Sequence, residues 1–460
     1  MMDRGAIEKR LNHQKDLLSN LVKKAKSNGM DQVEIYSSYG YSEDVSLEKN
    51  DLNNCTANEE NMFGIRVIHE GNQGFIISNH IPSLYESIEE AYQLAKSQTT
   101  PDLDLILPEA RPIDKQFDTY DMTLDSMGIE DLVSYAKEAL GWRNEFYGKV
   151  NIDSGEFSLS KGYKLIVSSK GVMAHELGAE LSASVMGMGV DGELVGSFDY
   201  DSASGFQKDQ FQSLWKKAFF NFGDKCMGAL YSKPISGFQG KVLLPPEAVY
   251  SFFLGLFIGS LNGTSLRKGK SKMEGKLGEK VASSLLSIWD DPTNIGFMGS
   301  TGFDREGMPT SFKKVLTEGV LESYFYNTYE AKKAGLITSN GSATGGAQSL
   351  PGCGPKQLQI APGTSSKDEF FKQPGKTLFV NRISGTKDGA SGDFSGVVKG
   401  GYLLEAGEKI PVREVQIVGN AFDALHQIEA ISKEGELLGE SSFVPYLLLD
   451  GFTVTGVSEN

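Results

Sequence analysis

Between residues 383 and 420 the chain reads ISGTKDGASGDFSGVVKGGYLLEAGEKIPVREVQIVGN, with glycines set between β-type segments and turns on either side of a lone Asp393. A run of this kind prescribes tight backbone, short strands and frequent turns. It is not a phosphate cradle, which needs a lysine and a hydroxyl after its last glycine at the start of a helix. Here Gly392 is followed by Asp393, Phe394 and Ser395. Nor is it a calcium loop, which needs carboxylates at alternating positions and a bidentate glutamate. Only Asp388 and Asp393 are at hand.

The rest of the chain sets the scale. Its 460 residues exceed what one core usually organises, so two domains are expected, 1–235 and 236–460. Lysine and arginine number 45 against 60 acids, a formal charge of -15, which gives no footing for direct nucleic-acid binding. The three cysteines, Cys55, Cys226 and Cys353, are far apart and form no CxxC pair, so neither a disulfide framework nor a cysteine zinc site is encoded. The opening MMDRGAIEKRLNHQKDLL is charged throughout and lacks an apolar signal core, so a cytoplasmic location is expected. The most apolar stretch, AVYSFFLGLFIGSL at 248–261, is shorter than the roughly 20 residues a bilayer requires. It reads as a buried helix begun by Pro245 and Pro246, with no membrane role.

Periodicity gives an α+β fold. Residues 6–28 place Leu11, Leu18, Val22 and Ala25 on one helical face, with Gly29 after them. From 32 to 78 short alternating segments such as VEIYSS, DVSLEK, FGIRVIHE and GFIISN are separated by Gly and Asn turns, which predicts antiparallel hairpins. Helices are expected at 83–97, 128–145 and 210–231, with strands at 163–167, 179–188 and 192–200. Beyond 236, KVLLPPE, KKVLTEGVLESYFYN, KTLFVNRISG and REVQIVGN alternate with turns. Gaps between strands are often too short for βαβ crossovers, so a barrel-like β domain bracketed by helices is expected.

A histidine-based site has only His13, His69, His80, His175 and His426 to draw on, and none has a second histidine three or four residues on. His175 and Glu176 begin HELGAE, but HExxH works because two imidazoles share one helical face, and this segment is β-patterned. A metal role for His175, Glu176 and Glu180 is the weaker reading. Cys353, in PGCGP, has no recognisable histidine partner and reads as a small residue in a tight turn.

Three ordered blocks carry a resemblance. ENMFGIRVIHEGNQGFIISN at 60–79, GFDREGMPTSFKKVLTEGVLESYFYNTYEAKKAG at 302–335 and SGDFSGVVKGGYLLEAGEKIPVREVQIVGN at 391–420 together resemble the TldD/PmbA family nearly from end to end. LNGTSLRKGKSKMEGKLGEKV at 261–281 is more similar to the PmbA branch, also called TldE. The resemblance implies a metallopeptidase-related protein; TldD-type chains carry His-Glu-x-x-x-His on the corresponding apolar helix and a cysteine near the C-terminus, which hold zinc for peptide hydrolysis. At that place this chain has LGLFIG, residues 254–259, so the motif positions fall on Leu254, Gly255 and Gly259. The stretch matching the cysteine, GELLGESSF at 435–443, contains none. Where the family writes an acidic pair before Glu-Gly, this chain has Asp304, Arg305 and Glu306, which puts a site role for Asp304 and Glu306 in doubt.

By resemblance, then, no catalytic residue, metal or cofactor is expected in this chain, and zinc only in a TldD-like partner. The implied partners are that metallopeptidase subunit in a heterodimer, or a second copy in a homodimer, together with short or unfolded peptides. Gly392, Asp393, Phe394 and Ser395 are the expected peptide-cavity residues, because glycine lets backbones approach closely. A self-sufficient hydrolase with unorthodox ligands such as His175, Glu176 and Cys353, and a non-enzymatic homodimeric peptide-binding protein, are the alternatives. Some family names refer to modulation of DNA gyrase; at this net charge such an effect would be indirect, through peptide turnover.

Overall fold

The computed structural model describes residues 2–115, 117–439 and 441–456, with Phe252 and Phe253 described in backbone only. It is an α+β fold built on two large sheets. Helix α1 (Arg4–Ser27) starts where the Asp3 carboxylate accepts the Ala6 N–H at 2.8 Å, and it buries Ile7, Leu11, Leu18, Val22 and Ala25. Strands β1 (Gln32–Glu48), β2 (Asp51–His69) and β3 (Asn72–Ser78) follow, then helices α2 (Leu84–Ser97) and α3 (Ile129–Trp142). Strands β4 (Val150–Ser168), β5 (Met173–Asp191), β6 (Leu194–Val195) and β7 (Asp199–Gly205) precede helix α4 (Lys208–Leu230). The sheet order is β3-β2-β1-β4-β5-β6, with β7 also on β5, and every pairing is antiparallel.

Two expectations change here. VEIYSS and DVSLEK are one 17-residue strand and not two, and residues 51–62, which lack an apolar alternation, form the first part of the 19-residue β2. The reason lies in β1's central position. Gly40 faces Glu60 on one side and Gly162 on the other, so ladder bonds on both flanks keep it extended. A β-carbon on Gly162 would stand 2.0 Å from the Tyr39 carbonyl oxygen, so glycine there serves close approach instead of a turn. Residues 53–60 of β2 are exposed on both faces, which removes the alternation that would mark them as strand.

The two faces of this sheet have different fates. Odd-numbered side chains, among them Val33, Ile35, Tyr39, Leu159, Leu165 and Leu181, enter a core with α1, α3 and the aromatic face of α4, where Trp215 is 1 % exposed. Even-numbered Tyr36, Ile166 and Ala174 pack instead on Phe303 and Ala347 from the C-terminal half. The first face is a single hydrophobic core; the second is only partly covered.

The second sheet has thirteen strands, beginning with β8 (Phe238–Leu244). Its organiser is the 14-residue strand Ser442–Thr455, which pairs β8, Leu358–Ile360, Gln416–Asn420 and Ile428–Leu438 along different parts of its length. The register shift between Leu449 and Phe452 in its pairing with β8 bends it. The expected buried helix is a composite: helical Pro246–Ala248, a π-helical segment Val249–Leu254, then helical Gly255–Ser260. It is half-buried. Val249, Leu254 and Phe257 enter the core while Tyr250, Ser251, Gly255 and Gly259 face outward. Among the described residues no helix is long and apolar enough to cross a membrane.

Candidate functional site

The composite helix decides what the motif positions can do. Leu254 is 2 % exposed and belongs to the C-terminal core, whereas Gly255 and Gly259 lie on the outer surface, and a β-carbon on Gly259 would meet nothing within 4 Å. Residues five apart on an α-helix point about 140° from one another, which is why one goes in and the other out. The stretch matching the family cysteine runs from the end of strand Ile428–Leu438 into the start of strand Ser442–Thr455, which pair with each other, and Glu440 between them lies outside the described residues. Three protein ligands are the minimum for catalytic zinc. These residues do not fit one, and among the described residues no three His, Cys, Asp or Glu side chains are grouped to hold a metal ion.

Beside this helix stands the glycine hairpin. Strand Arg382–Lys387 pairs with Asp393–Lys399, and the connecting turn is closed by the Asp388 carboxylate, which accepts the N–H groups of Ala390 and Ser391 at 2.8 Å. Gly392 has φ +80°, and a β-carbon on it would lie 2.3 Å from the Phe422 ring. Asp393 is exposed, and its carboxylate accepts the Asn420 side-chain N–H at 2.7 Å. That bond, with one from Ser391, holds its pKa below the usual carboxylate value. Asn420 in turn caps helix Ala421–His426 through the Phe422 and Asp423 N–H groups. Phe394 is 4 % exposed and stacks on Phe452 with ring centroids 6.5 Å apart, whereas Ser395 is exposed opposite Val418. Of the four residues assigned to a peptide cavity, Asp393 and Ser395 offer side chains to solvent, Gly392 fills a tight backbone position and Phe394 is core. Lys387 Nζ donates to the Ser251 carbonyl at 2.7 Å, and helix Ala421–His426 packs on Gly255–Ser260. These contacts set the hairpin beside the composite helix, whose Gly255 and Gly259 face outward while Leu254 is buried.

Asp304 and Glu306 are fully committed. Asp304 accepts the N–H groups of Glu306, Met308 and Ala343 at 2.8 to 3.0 Å, and burial, then Glu306, pushes its pKa up to about 6. Glu306 accepts the Thr328 N–H at 2.7 Å and pairs with Arg66 at 3.3 Å. Arg66 pairs with Glu34 at 2.6 Å, and Arg305 reaches Glu34 at 3.0 Å. All four charged side chains of this chain of contacts are at most 3 % exposed. They join β1 and β2 to the C-terminal half. Sequence reasoning overlooked Glu34 and Arg66; the available signal was one charge of each sign inside the apolar segments VEIY and GIRVI.

His175, Glu176 and Cys353 are not brought together. Successive residues of β5 point to opposite faces, so His175 turns to α1, its Nε2 3.1 Å from Lys15 Nζ, where burial and Lys15 lower its pKa. Glu176 turns the other way, to Lys164 at 2.7 Å and to the Thr301 hydroxyl and Gly302 N–H. Cys353 sits in a two-residue strand against Ala343–Thr344, accepts the Asn327 N–H, and burial pushes its thiol up to about 12. Clefts adjoin His175 and Glu176. One of about 450 Å³ lies between α1 and β5, lined by Arg4, Lys15, Asp118 and His175. The other, about 330 Å³, runs over Gly40, Gly162 and Gly178 beside Glu180 and Ser300.

Comparison with known proteins places this architecture. Residues 33–98 match the family model described as PmbA/TldA metallopeptidase domain 1, and residues 238–456 the PmbA/TldA metallopeptidase C-terminal domain. The chain is similar to metalloprotease PmbA of Escherichia coli O157:H7, 24 % identical with 85 % of each protein covered. It is also similar to an uncharacterized protein of Methanocaldococcus jannaschii, 23 % identical over 92 % of this chain and 97 % of that protein. The crystal structure of TldE from Thermococcus kodakarensis superposes with a TM-score of 0.84 at 21 % identity, covering 96 % of this chain and 100 % of the other. By family models, relatives and fold together, the chain belongs to the TldD/PmbA family.

Proposed function

We propose that this chain is the metal-free, PmbA/TldE-like member of a TldD/PmbA-type peptidase complex that acts on short or unfolded peptides in the cytoplasm, with zinc supplied only by a TldD-like partner subunit. The observation that carries this reading is the composition of the composite helix. Where peptide hydrolysis would need two imidazoles and a carboxylate, Leu254 is buried and Gly255 and Gly259 carry no side chain. The separation of His175, Glu176 and Cys353 speaks against a self-sufficient hydrolase built from those residues. In the complex this chain contributes walls and partner surface. Its hairpin at Asp393 and Ser395, together with the outward face of Tyr250, Ser251, Gly255 and Gly259, forms the surface that meets peptide or partner.

The test is direct. The purified chain is expected to hold far less than one zinc per chain by elemental mass spectrometry and to leave an unstructured peptide uncut. Mixed with a TldD-like chain it co-elutes, and cleavage appears only in the mixture. Stoichiometric zinc, or cleavage by this chain alone in metal-free buffer, defeats the proposal.

A further inference from the structure

Gly40, Gly162 and Gly178 are register partners on β1, β4 and β5, so the even face of the N-terminal sheet carries a row of three positions without side chains. The row becomes a trench because of what flanks it. On one side the C-terminal half covers the sheet, ending at Met298 and Ser300 and at the Lys164–Glu176 pair. On the other side stand Ser160 and Glu180, and the trench closes at Thr119, whose carbonyl accepts the Ala179 N–H at 2.9 Å. The trench is open to solvent and has a volume of about 330 Å³, within the range of small-ligand sites.

Glu180 is the group in this trench that the protein leaves unanswered. Lys164 and Glu176 neutralise each other, and Glu176 also takes the Thr301 hydroxyl and the Gly302 N–H. Glu180 is half-buried and makes no hydrogen bond or ion pair with any described residue. It stands four residues along β5 from Glu176, on the order of 13 Å at strand rise, beyond the reach of Lys164. Burial alone raises its pKa, with no cation near enough to oppose that. Past the trench the same face continues through Ser42, Asp44, Ser158 and Ser182, and no lysine or arginine interrupts it. A desolvated carboxylate without a partner costs free energy that an incoming cation recovers.

We infer that the trench is a binding site for the cationic end of a peptide, with Glu180 receiving an ammonium group and the glycine floor letting the peptide backbone lie close to the sheet. The ammonium comes either from the peptide's amino terminus or from a lysine side chain. This inference rests on the peptide-binding reading above and adds a substrate preference to it. Charge-assisted hydrogen bonds of this kind correspond to at least about tenfold in affinity.

Fluorescence anisotropy on the full chain tests it with labelled alanine-based pentapeptides: one with a free amino terminus and norleucine, one acetylated with lysine, and one acetylated with norleucine. The wild type is expected to bind at least one of the two cationic peptides about tenfold more tightly than the uncharged one, and the arm that gains identifies the source of the ammonium. Glu180→Gln should erase the difference by weakening the cationic peptides alone, and it should not lower the thermal midpoint, because it removes a desolvated charge. Where the wild type binds the peptides, a cation preference that persists in Glu180→Gln, or that is absent from the wild type, overturns the inference. If the wild type binds none of the three peptides, the peptide-binding reading has failed. Titration with lysinamide followed by NMR then judges the trench: binding lost in Glu180→Gln upholds the ammonium site, and binding that is absent or unchanged refutes it.

Discussion

Glu34, Arg66, Arg305 and Glu306 show how much depends on single side chains that no motif marks. Burial works against the charge on Glu34, yet Arg66 and Arg305 outweigh it and hold its pKa below the ordinary glutamate value. Removing one member of such a group leaves a buried charge without its partner, which costs about 3–5 kcal/mol. Arg66→Met is therefore expected to lower unfolding free energy by that amount in urea titrations, whereas Lys276→Met, which breaks the exposed pair with Glu279, should change it by less than about 1 kcal/mol. Asp201 supplies a pH signature. Burial pushes its carboxyl up to about 6, against an ordinary 3.8, with Lys225 only partly offsetting the effect. Because the folded-state value is the higher one, the stability it contributes is full below 3.8 and is lost as pH rises through 6. The stability of Asp201→Asn relative to wild type should accordingly climb between pH 4 and pH 7, and a flat difference would contradict this assignment. None of these roles was legible in the sequence, since a lone acid in a β segment looks the same whether it faces solvent or a buried arginine.

At the scale of elements, the amphipathic helices were legible because their apolar spacing is local. The face of Leu11, Leu18, Val22 and Ala25 is buried as the pattern requires. The glycines were harder, because a turn and a close approach ask for the same residue. Gly162 serves approach inside a long paired strand, where a β-carbon would stand 2.0 Å from the Tyr39 carbonyl oxygen, whereas a β-carbon on its register partner Gly40 would meet nothing within 4 Å. Gly392 serves both purposes, with φ +80° and the Phe422 ring where a β-carbon would go. Gly392→Ala should then cost at least about 1–3 kcal/mol, and Asn420→Ala, which removes the cap of helix Ala421–His426 and the partner of Asp393, about 0.5–2 kcal/mol. Both are read from the urea midpoint. The apolar segment at 248–261 illustrates the opposite difficulty. Its composition pointed to burial on all sides, but small residues at 255 and 259 and Tyr250 leave one face open, and only the fold of the C-terminal sheet determines which face that is.

The whole molecule depends on how the two sheets are joined. The α+β class followed from the segment pattern, and the family from three blocks spread along the chain, but the junction between the sheets is made of contacts between residues up to 271 positions apart, which no local pattern encodes. Arg305 is its hub. The guanidinium donates to Glu34 at 3.0 Å, to the Gly346 carbonyl at 2.9 Å and to the Ser349 carbonyl at 3.4 Å, and its carbon lies 4.1 Å from the centre of the Tyr36 ring. It belongs to neither large hydrophobic core. Replacing it should therefore loosen the junction while leaving each core intact. Trp142 and Trp215 report the N-terminal core, and the remaining tryptophan, Trp289, lies in a strand of the other sheet, so a Trp289→Phe background makes fluorescence specific to the N-terminal half. In that background the fluorescence and far-ultraviolet circular dichroism transitions in urea should coincide, as they do for cooperative unfolding. With Arg305→Met added, the fluorescence transition should separate from the circular dichroism transition, the two halves now melting at different urea concentrations. Transitions that stay superimposed and merely shift together would mean that the apolar contacts of Tyr36, Ile166 and Phe303 hold the halves together without the buried charges.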